Sequence, residues 1–181
     1  MLSFTSKEPI ARMEDFVERS FLFITAGTYQ KRPFIAGDDR KSMLVESLDF
    51  NCYKWGWKLT AYAILDNHYH LIVRTPGGDV TRLAHIIQSA HSFSAYHWRR
   101  DDPTIRTRIW WNFWEAVLKT PEALIEHINY VHLNPKLHGT TSEPASYAFS
   151  SMPAYLALPN SPLEDWMKKY VRTPADLIDA F

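Results

Sequence analysis

Apolar and polar positions divide the chain into segments of two kinds. Four segments are rich in alternating apolar, β-branched or aromatic residues, which predicts strands: 21–28, 57–65, 68–74 and 109–118. Three others repeat apolar residues every three or four positions, which predicts helices: 38–53, 80–98 and 120–134. The resulting order, β-α-β-β-α-β-α, predicts an α+β fold of the ferredoxin-like or RRM-like type. Its sheet would carry helices on one face, plus a further C-terminal helix.

Two of these elements carry expectations about which side chains face inwards. Apolar side chains alternate along residues 57–65, which predicts a strand with one buried face. The helix over residues 80–98 is expected to begin after Asp79, a residue type that caps helices well. Its apolar stripe includes Phe93, whereas His91 lies largely away from it.

The last predicted helix has recognisable start and stop signals. Thr120 can cap it and Pro121 suits its first turn. Pro135 disfavours helical backbone at Asn134, so the helix is expected to end about there. Tyr130 and Asn134 are four residues apart and share a face, so a phenol and an amide could reach one metal–phosphate site. Taken alone, however, a packed tyrosine and a helix-ending asparagine explain the pair better.

A pair of histidines opens the strand at residue 68. Side chains alternate along a strand, so His68 and His70 project from one face and Tyr69 from the other. Two neutral imidazoles on one face make half of a divalent metal site. A bare His-x-His pair is more often two ordinary strand histidines. The histidine pair therefore indicates a metal site only in combination with the motif around Tyr130.

Composition limits the compartment and the partners. The 181 residues are enough for one domain with a full core. Twenty basic and twenty acidic side chains give a formal net charge of zero, so any contact with DNA must come from local patches. The single cysteine, Cys52, excludes an internal disulfide and a cysteine-rich zinc site.

The chain is expected to be a cytoplasmic protein of three parts. It contains no apolar run long enough to span a membrane, and its N-terminus lacks a signal-peptide pattern. Residues 1–20 are interpreted as an N-terminal extension and residues 21–140 as the main domain. Residues 141–181 form a C-terminal extension that either packs on this domain or trails from it.

Two motifs together resemble a known family. His68-Tyr69-His70 resembles the His-hydrophobic-His signature of the HUH single-strand endonucleases. The longer strings NHYHLIV (residues 67–73) and YVHLNP (residues 130–135) resemble the REP-associated tyrosine transposases of the IS200-like group. The likeness runs from about Phe21 to about Tyr155. The two motifs, in this order and at this separation, are far more specific than either one alone.

This resemblance implies a metal-dependent endonuclease and strand transferase that acts on single-stranded DNA. Tyr130 would be the nucleophile and would form a 5′-phosphotyrosine intermediate. His68, His70 and Asn134 would bind Mg²⁺ or Mn²⁺. The histidines would occupy a central strand, with the tyrosine helix packed against that sheet.

The same resemblance implies single-stranded or REP-like hairpin DNA as the partner, in a bacterial, nucleoid-associated setting. It is compatible with a homodimer and with a monomer. Candidate DNA contacts are the basic residues that follow or connect the predicted elements: Arg74, Arg99, Arg100, Arg106, Arg108 and Lys136.

Two other functions stay open at this point. The first is a non-catalytic module on the same fold that binds single-stranded nucleic acid. The zero net charge favours it, whereas the presence of His68, His70, Tyr130 and Asn134 together argues against it. The second is a metal-dependent hydrolase that uses the histidines with Asp66 and forms no tyrosine intermediate. Asp66 lies where a hairpin turn is expected, and turn aspartates are common.

Overall fold

The computed structural model of the chain describes residues 21–158 and Asp165, so the extension over 1–20 and most of residues 159–181 lie outside it. One antiparallel sheet has the strand order β2-β3-β1-β4. Its strands are β1 (Phe21–Thr28), β2 (Lys58–Ile64), β3 (His68–Arg74) and β4 (Trp110–Leu118). The α-helices of the described part are α1 (Asp38–Lys54), α2 (Leu83–Asp101), α3 (Pro121–Leu137) and α4 (Met152–Leu156).

The sheet separates two hydrophobic cores. One core joins the sheet to α1 and α2 and includes Ile24 and Tyr69. The other joins the opposite face to α3 and includes Phe23, Ile72 and Ile128. This confirms the predicted α+β fold, with α1 and α2 on one face of the sheet and the last long helix on the other.

Strand β2 is buried on both faces, so the expectation of a single buried face is wrong. The register between β2 and β3 shifts between Leu59 and Ala61. Leu59 belongs to the core under α1 and α2, whereas Ala61 and Ala63 belong to the core under α3. A bulge inserts one residue, and a slip of one residue reverses the face that the following side chains point to. The alternating apolar side chains of this segment therefore enter one core before the bulge and the other core after it.

A short segment of the C-terminal region, residues 149–151, covers the outer edge of β2. The Ser151 N–H donates a hydrogen bond to the Tyr62 carbonyl at 3.0 Å. The Ser151 hydroxyl is hydrogen-bonded to Nε2 of His132 in α3 at 2.8 Å. His132 is 0% exposed, and this burial lowers its pKa to about 3. The neutral imidazole therefore ties α3 to the sheet.

Helix α3 begins as expected but runs further than expected. The Thr120 hydroxyl caps it by accepting a hydrogen bond from the Ala123 N–H at 3.1 Å. The prediction that Pro135 ends the helix is wrong, because α3 continues to Leu137. Pro135 lies in the last turn, where its missing N–H removes only one helical hydrogen bond. Its carbonyl accepts a hydrogen bond from the Thr140 N–H at 2.8 Å.

Helix α2 begins at Leu83, so Asp79 does not cap it. The Asp79 carboxylate instead accepts a hydrogen bond from the Thr81 N–H at 2.9 Å, in the turn before the helix. Phe93, expected in the apolar stripe, is 46% exposed. His91, expected away from it, is buried. A polar ring can be buried at this position because its hydrogen bonding is satisfied within the protein.

His91 is held by two neighbours in the core. Its Nε2 is hydrogen-bonded to the Tyr69 hydroxyl at 2.8 Å. Its ring stacks on Trp110 with the ring centroids 3.9 Å apart. Burial lowers the pKa of His91 to about 3. The folded protein therefore keeps this imidazole neutral at a pH where an unfolded chain would protonate it.

We expect the stability of the protein to fall as the pH drops below about 6.5, the ordinary pKa of histidine. Between that value and about 3, the unfolded chain binds a proton at His91 that the folded protein does not. Linkage then lowers the free energy of unfolding at pH 5 by about 2 kcal/mol for this one side chain. Urea unfolding at pH 5, 6 and 7 measures the effect. His91→Gln should reduce the pH dependence to the part that remains from His132, whose pKa is also about 3, and His85→Gln, at an exposed position of the same helix, should leave it unchanged.

Candidate functional site

The two histidines of β3 lie on the face of the sheet that α3 covers. The register pairs His70 with Thr25 of β1 on one side and with Ala63 of β2 on the other. His68 and His70 are both buried, and their ring centroids are 5.1 Å apart. The expectation of a central strand with both imidazoles on one face is met, because β3 lies between β2 and β1.

The ring of His68 has a defined orientation and tautomer. Its Nδ1 lies 2.7 Å from Oδ1 of Asn67. The Asn67 amide nitrogen donates a hydrogen bond to the Lys31 carbonyl at 3.1 Å, which fixes which end of the amide faces the ring. An amide oxygen can only accept, so Nδ1 of His68 carries the proton and donates it. Nε2 is then the nitrogen with the lone pair, and it is the atom that could bind a metal.

His70 is held in a similar way by β1. Its Nδ1 is hydrogen-bonded to the Thr25 hydroxyl at 2.7 Å. Its ring stacks on Phe23 with centroids 5.6 Å apart and 12° between the ring planes. These two neighbours fix the orientation of the ring, and because a threonine hydroxyl can donate or accept, the contact is compatible with either tautomer of His70. Sequence reasoning missed both Thr25 and Asn67 as partners of the histidines.

Tyr130 is brought directly to these histidines by α3. Its ring centroid is 5.2 Å from that of His70 and 6.0 Å from that of Phe23. The side chain is only 5% exposed, so the phenol is held by packing. Tyr130 thus contacts His70, and its role as a nucleophile stays a prediction.

Asn134 and His138 extend this face of α3 by one and two turns. Tyr130, Asn134 and His138 are spaced by four residues, so Asn134 follows Tyr130 on one face of α3, and His138, the first residue after the helix, continues that spacing. Tyr130 contacts His70, and the ring of His138 contacts that of His68 with centroids 4.6 Å apart. Asn134 is buried and lies one turn after Tyr130. Sequence reasoning missed His138 because the helix was expected to end before it.

The donors in this region suit a divalent ion that accepts nitrogen and oxygen ligands. Within residues 21–158, no three His, Cys, Asp or Glu side chains are grouped so that they could hold a metal ion. The ligand set expected from the sequence is His68, His70 and Asn134, of which only two are residues of these types, and it stays a prediction. Imidazole suits Mn²⁺ better than Mg²⁺, and three protein donors leave positions for substrate oxygens.

We expect Asn67→Leu to weaken Mn²⁺ binding by roughly 10- to 100-fold, the usual effect of losing a hydrogen-bond partner behind a ligand histidine. The leucine cannot accept the Nδ1–H bond of His68, so the ring loses its fixed tautomer and orientation. Isothermal titration calorimetry with Mn²⁺, without DNA, measures the change.

Asn67→Asp is the matched control, because a carboxylate still accepts this hydrogen bond. It should retain most of the Mn²⁺ affinity. Equal affinities for wild type, Asn67→Leu and Asn67→Asp, with unfolding temperatures also equal, would contradict the role assigned to this amide.

Asp66 is engaged away from the histidines. Its carboxylate forms an ion pair with Nζ of Lys41 at 2.7 Å, and Nζ also donates to the Tyr147 hydroxyl at 3.1 Å. Burial alone lowers the pKa of Lys41, but the hydrogen bonds to Asp66 and Tyr147 outweigh it and raise the pKa above its usual value. This contact to α1 disfavours a hydrolase that uses Asp66 as a metal ligand.

The basic residues predicted to contact DNA do not form one patch. Arg99, Arg100 and Arg108 line a groove between α2 and β4. Arg106 is exposed in the connection before β4. The remaining two lie elsewhere: Arg74 ends β3, and Lys136 is exposed in the last turn of α3.

Comparison with known families assigns the chain. The family model described as Transposase IS200 like matches residues 21–119. The chain belongs to the IS200-like transposase family. The matched residues of this transposase include His68 and His70 and end before α3, which carries Tyr130 and Asn134. None of the curated proteins matches the chain.

A solved structure shares the fold of this transposase. A REP-associated tyrosine transposase bound to a REP hairpin matches with a TM-score of 0.61 at 18% identity, covering 83% of this chain and 86% of that one. A Deinococcus radiodurans R1 protein assigned as a transposase matches with a TM-score of 0.47 at 14% identity, covering 74% of this chain and 95% of that one. In the part of the transposase that the structure describes, no helix is long and apolar enough to cross a membrane.

Proposed function

We propose that this transposase cuts and rejoins single-stranded DNA through a covalent bond to Tyr130. One observation carries the proposal: the ring of Tyr130 lies 5.2 Å from that of His70, on the face of the sheet that also presents His68. A tyrosine hydroxyl beside side chains that can bind a divalent ion is a combination that suits covalent phosphodiester cleavage.

The proposed cleavage exchanges one phosphate ester for another. The Tyr130 oxygen bonds to phosphorus as the bond from phosphorus to the 3′-oxygen breaks. The phenol loses a proton and the leaving 3′-oxygen gains one, so the charge balances. The product is a 5′-phosphotyrosine and a free 3′-hydroxyl. Because the new ester keeps the energy of the broken bond, a 3′-hydroxyl can reverse the step and join strands without ATP.

The residues around Tyr130 orient the reacting groups. A phenol has an ordinary pKa of about 10, so it needs help to act as a nucleophile near neutral pH. A Mg²⁺ or Mn²⁺ ion bound by His68, His70 and Asn134 would polarise the scissile phosphate. Phe23 packs against the rings of both His70 and Tyr130, which holds the phenol beside the histidines and keeps water from its ring.

The proposed substrate is a DNA hairpin with unpaired flanking nucleotides. The related transposase of known structure is bound to a REP hairpin. This chain has no excess of positive charge overall, yet three of its arginines share one groove beside β4. Substrates of this kind lie in bacterial chromosomes, so we propose that the protein acts in the cytoplasm at the nucleoid.

A gel assay for a covalent adduct tests the proposal. The full chain is mixed with labelled single-stranded hairpins from the DNA that flanks its own gene, in Mn²⁺, Mg²⁺ or chelator, and separated under denaturing conditions. We expect a protein–DNA adduct in either metal and none with chelator. Binding without an adduct in any condition would favour the non-catalytic module. Cleavage without an adduct would favour the hydrolase.

A further inference from the structure

A groove of about 840 Å³ opens between α2 and β4, on the side of the sheet opposite Tyr130. Its volume lies within the range of about 300–1,000 Å³ that is usual for sites of small molecules and cofactors. It can therefore take a short run of nucleotides. The groove does not include His68, His70 or Tyr130.

The charge of this groove differs from that of the chain as a whole. Arg99, Arg100 and Arg108 are the charged side chains that line it, and the nearby Asp101 forms an ion pair with Arg100 at 3.2 Å, which leaves a net positive charge. The chain itself has equal numbers of acidic and basic residues. All three arginines are exposed. Each guanidinium has five N–H donors, so the groove presents a concentrated set of donors to an anion such as phosphate.

Aromatic side chains add flat surfaces beside this charge. Trp111 is 47% exposed and Tyr96 is 66% exposed, and both line the groove. The guanidinium of Arg108 lies over the indole of Trp111, 4.9 Å from the ring centroid. Unpaired bases stack on such rings, which contributes about 1–3 kcal/mol for each base. Paired bases are already stacked within a duplex, so these surfaces favour single strands.

Polar side chains that can read base edges complete the lining. Gln88 and Asn112 are exposed, and each amide offers both donors and an acceptor. The floor beneath them is rigid, because His91 and Trp110 are stacked and the Trp110 indole N–H donates to the Ser94 hydroxyl at 3.1 Å. The arginines can bind the phosphate of a nucleotide, the aromatic rings can stack on its base, and the amides can form hydrogen bonds with the edge of that base.

We propose that this groove is a second DNA site, which binds unpaired nucleotides of the same strand that Tyr130 cuts; the inference rests on the proposed function. Strand β4 is an edge strand, so a DNA strand can pass around it from the groove to the other face. On that face β4 carries Trp114, which pairs in register with Thr25, and Thr25 pairs with His70. The two sites thus lie on opposite sides of one exposed strand.

Binding measured without cleavage tests the groove separately from the tyrosine site. Fluorescence anisotropy in chelator compares a hairpin that keeps its unpaired flanks with the same hairpin trimmed to its paired stem and loop. We expect Trp111→Leu to weaken binding of the flanked hairpin about tenfold, from the loss of stacking, and to leave binding of the trimmed hairpin unchanged. Phe93→Leu is the matched control, because Phe93 is an equally exposed aromatic of α2 outside the groove.

The arginines allow a second comparison. Arg108→Gln should weaken binding of the flanked hairpin. It should also reduce the magnitude of the slope of the logarithm of the binding constant against the logarithm of the salt concentration by about one, the value for one lost phosphate contact. Arg82→Gln, at an exposed position outside the groove, should do neither. In wild-type protein, 5-iododeoxyuridine placed in the flank should cross-link to the peptide that contains Tyr96 or Trp111.

Each outcome decides for or against the groove. Equal losses for flanked and trimmed hairpins, or cross-links that map only to α3, would overturn the inference while leaving the tyrosine site standing. Tighter binding of the RNA version of the flank through Trp111 would overturn the assignment to DNA. A wild-type protein that binds neither hairpin would overturn both this inference and the proposed function.

Discussion

Tyr130→Phe should abolish the covalent adduct while leaving hairpin binding intact. Removing one hydroxyl removes the proposed nucleophile, and the phenyl ring keeps the contacts that Tyr130 makes with Phe23 and His70. Loss of a nucleophile lowers the rate by roughly a thousandfold or more, about 4 kcal/mol in activation free energy. The adduct gel measures the loss, and anisotropy with the same hairpin shows that the variant still binds.

Tyr155→Phe is the matched control for this substitution. Tyr155 is also buried on the α3 side of the sheet, and its hydroxyl donates to the Thr60 carbonyl at 2.9 Å. Tyr155→Phe should lower the free energy of unfolding, because this hydrogen bond is lost, and should leave the yield of covalent adduct unchanged. An adduct that survives in Tyr130→Phe would mean that another tyrosine is the nucleophile, with Tyr69, Tyr96 and Tyr147 to be tested next.

His70→Ala should lose both Mn²⁺ binding and the adduct, each by roughly a hundredfold or more, since a direct ligand matters more than the partner behind it. The substitution removes the imidazole that Thr25 orients and that lies beside Tyr130. Calorimetry with Mn²⁺ and the adduct gel measure the two losses independently.

Asp66→Asn separates this function from the hydrolase that would use Asp66. The carboxylate of Asp66 is paired with Lys41, so its replacement should lower the unfolding temperature and leave Mn²⁺ affinity and adduct yield close to wild type. If Asp66→Asn instead lost metal binding and His70→Ala kept it, the assigned ligands would be wrong.

The elements of the fold could be predicted because their signals are local. Period-two alternation places His68 and His70 on one face, and the cap and proline at Thr120 and Pro121 mark the start of α3. The β2 bulge could not be predicted this way. Apolar side chains lie on both sides of it, and the alternation looks the same whether they enter one core or two.

The partners of the histidines were beyond sequence reasoning for a different reason. Thr25 meets His70 only through the pairing of β1 with β3, across 45 positions of the chain. His138 did have a local signal, because it continues the spacing of four from Tyr130 and Asn134. The signal was missed because Pro135 was taken as the end of the helix. A proline in the last turn removes only one helical hydrogen bond, so α3 continues past it.

The hydrogen bond between His132 and Ser151 has a consequence for stoichiometry. In the single chain that the structure describes, it fastens α3 to the sheet, and on the proposed function one polypeptide then supplies both the histidines and the tyrosine. Adduct formation on the proposed function is then first order in protein. One chain with one nucleophile can hold a single 5′ end at a time. An excision that cuts at two ends therefore requires two copies or two successive rounds by one.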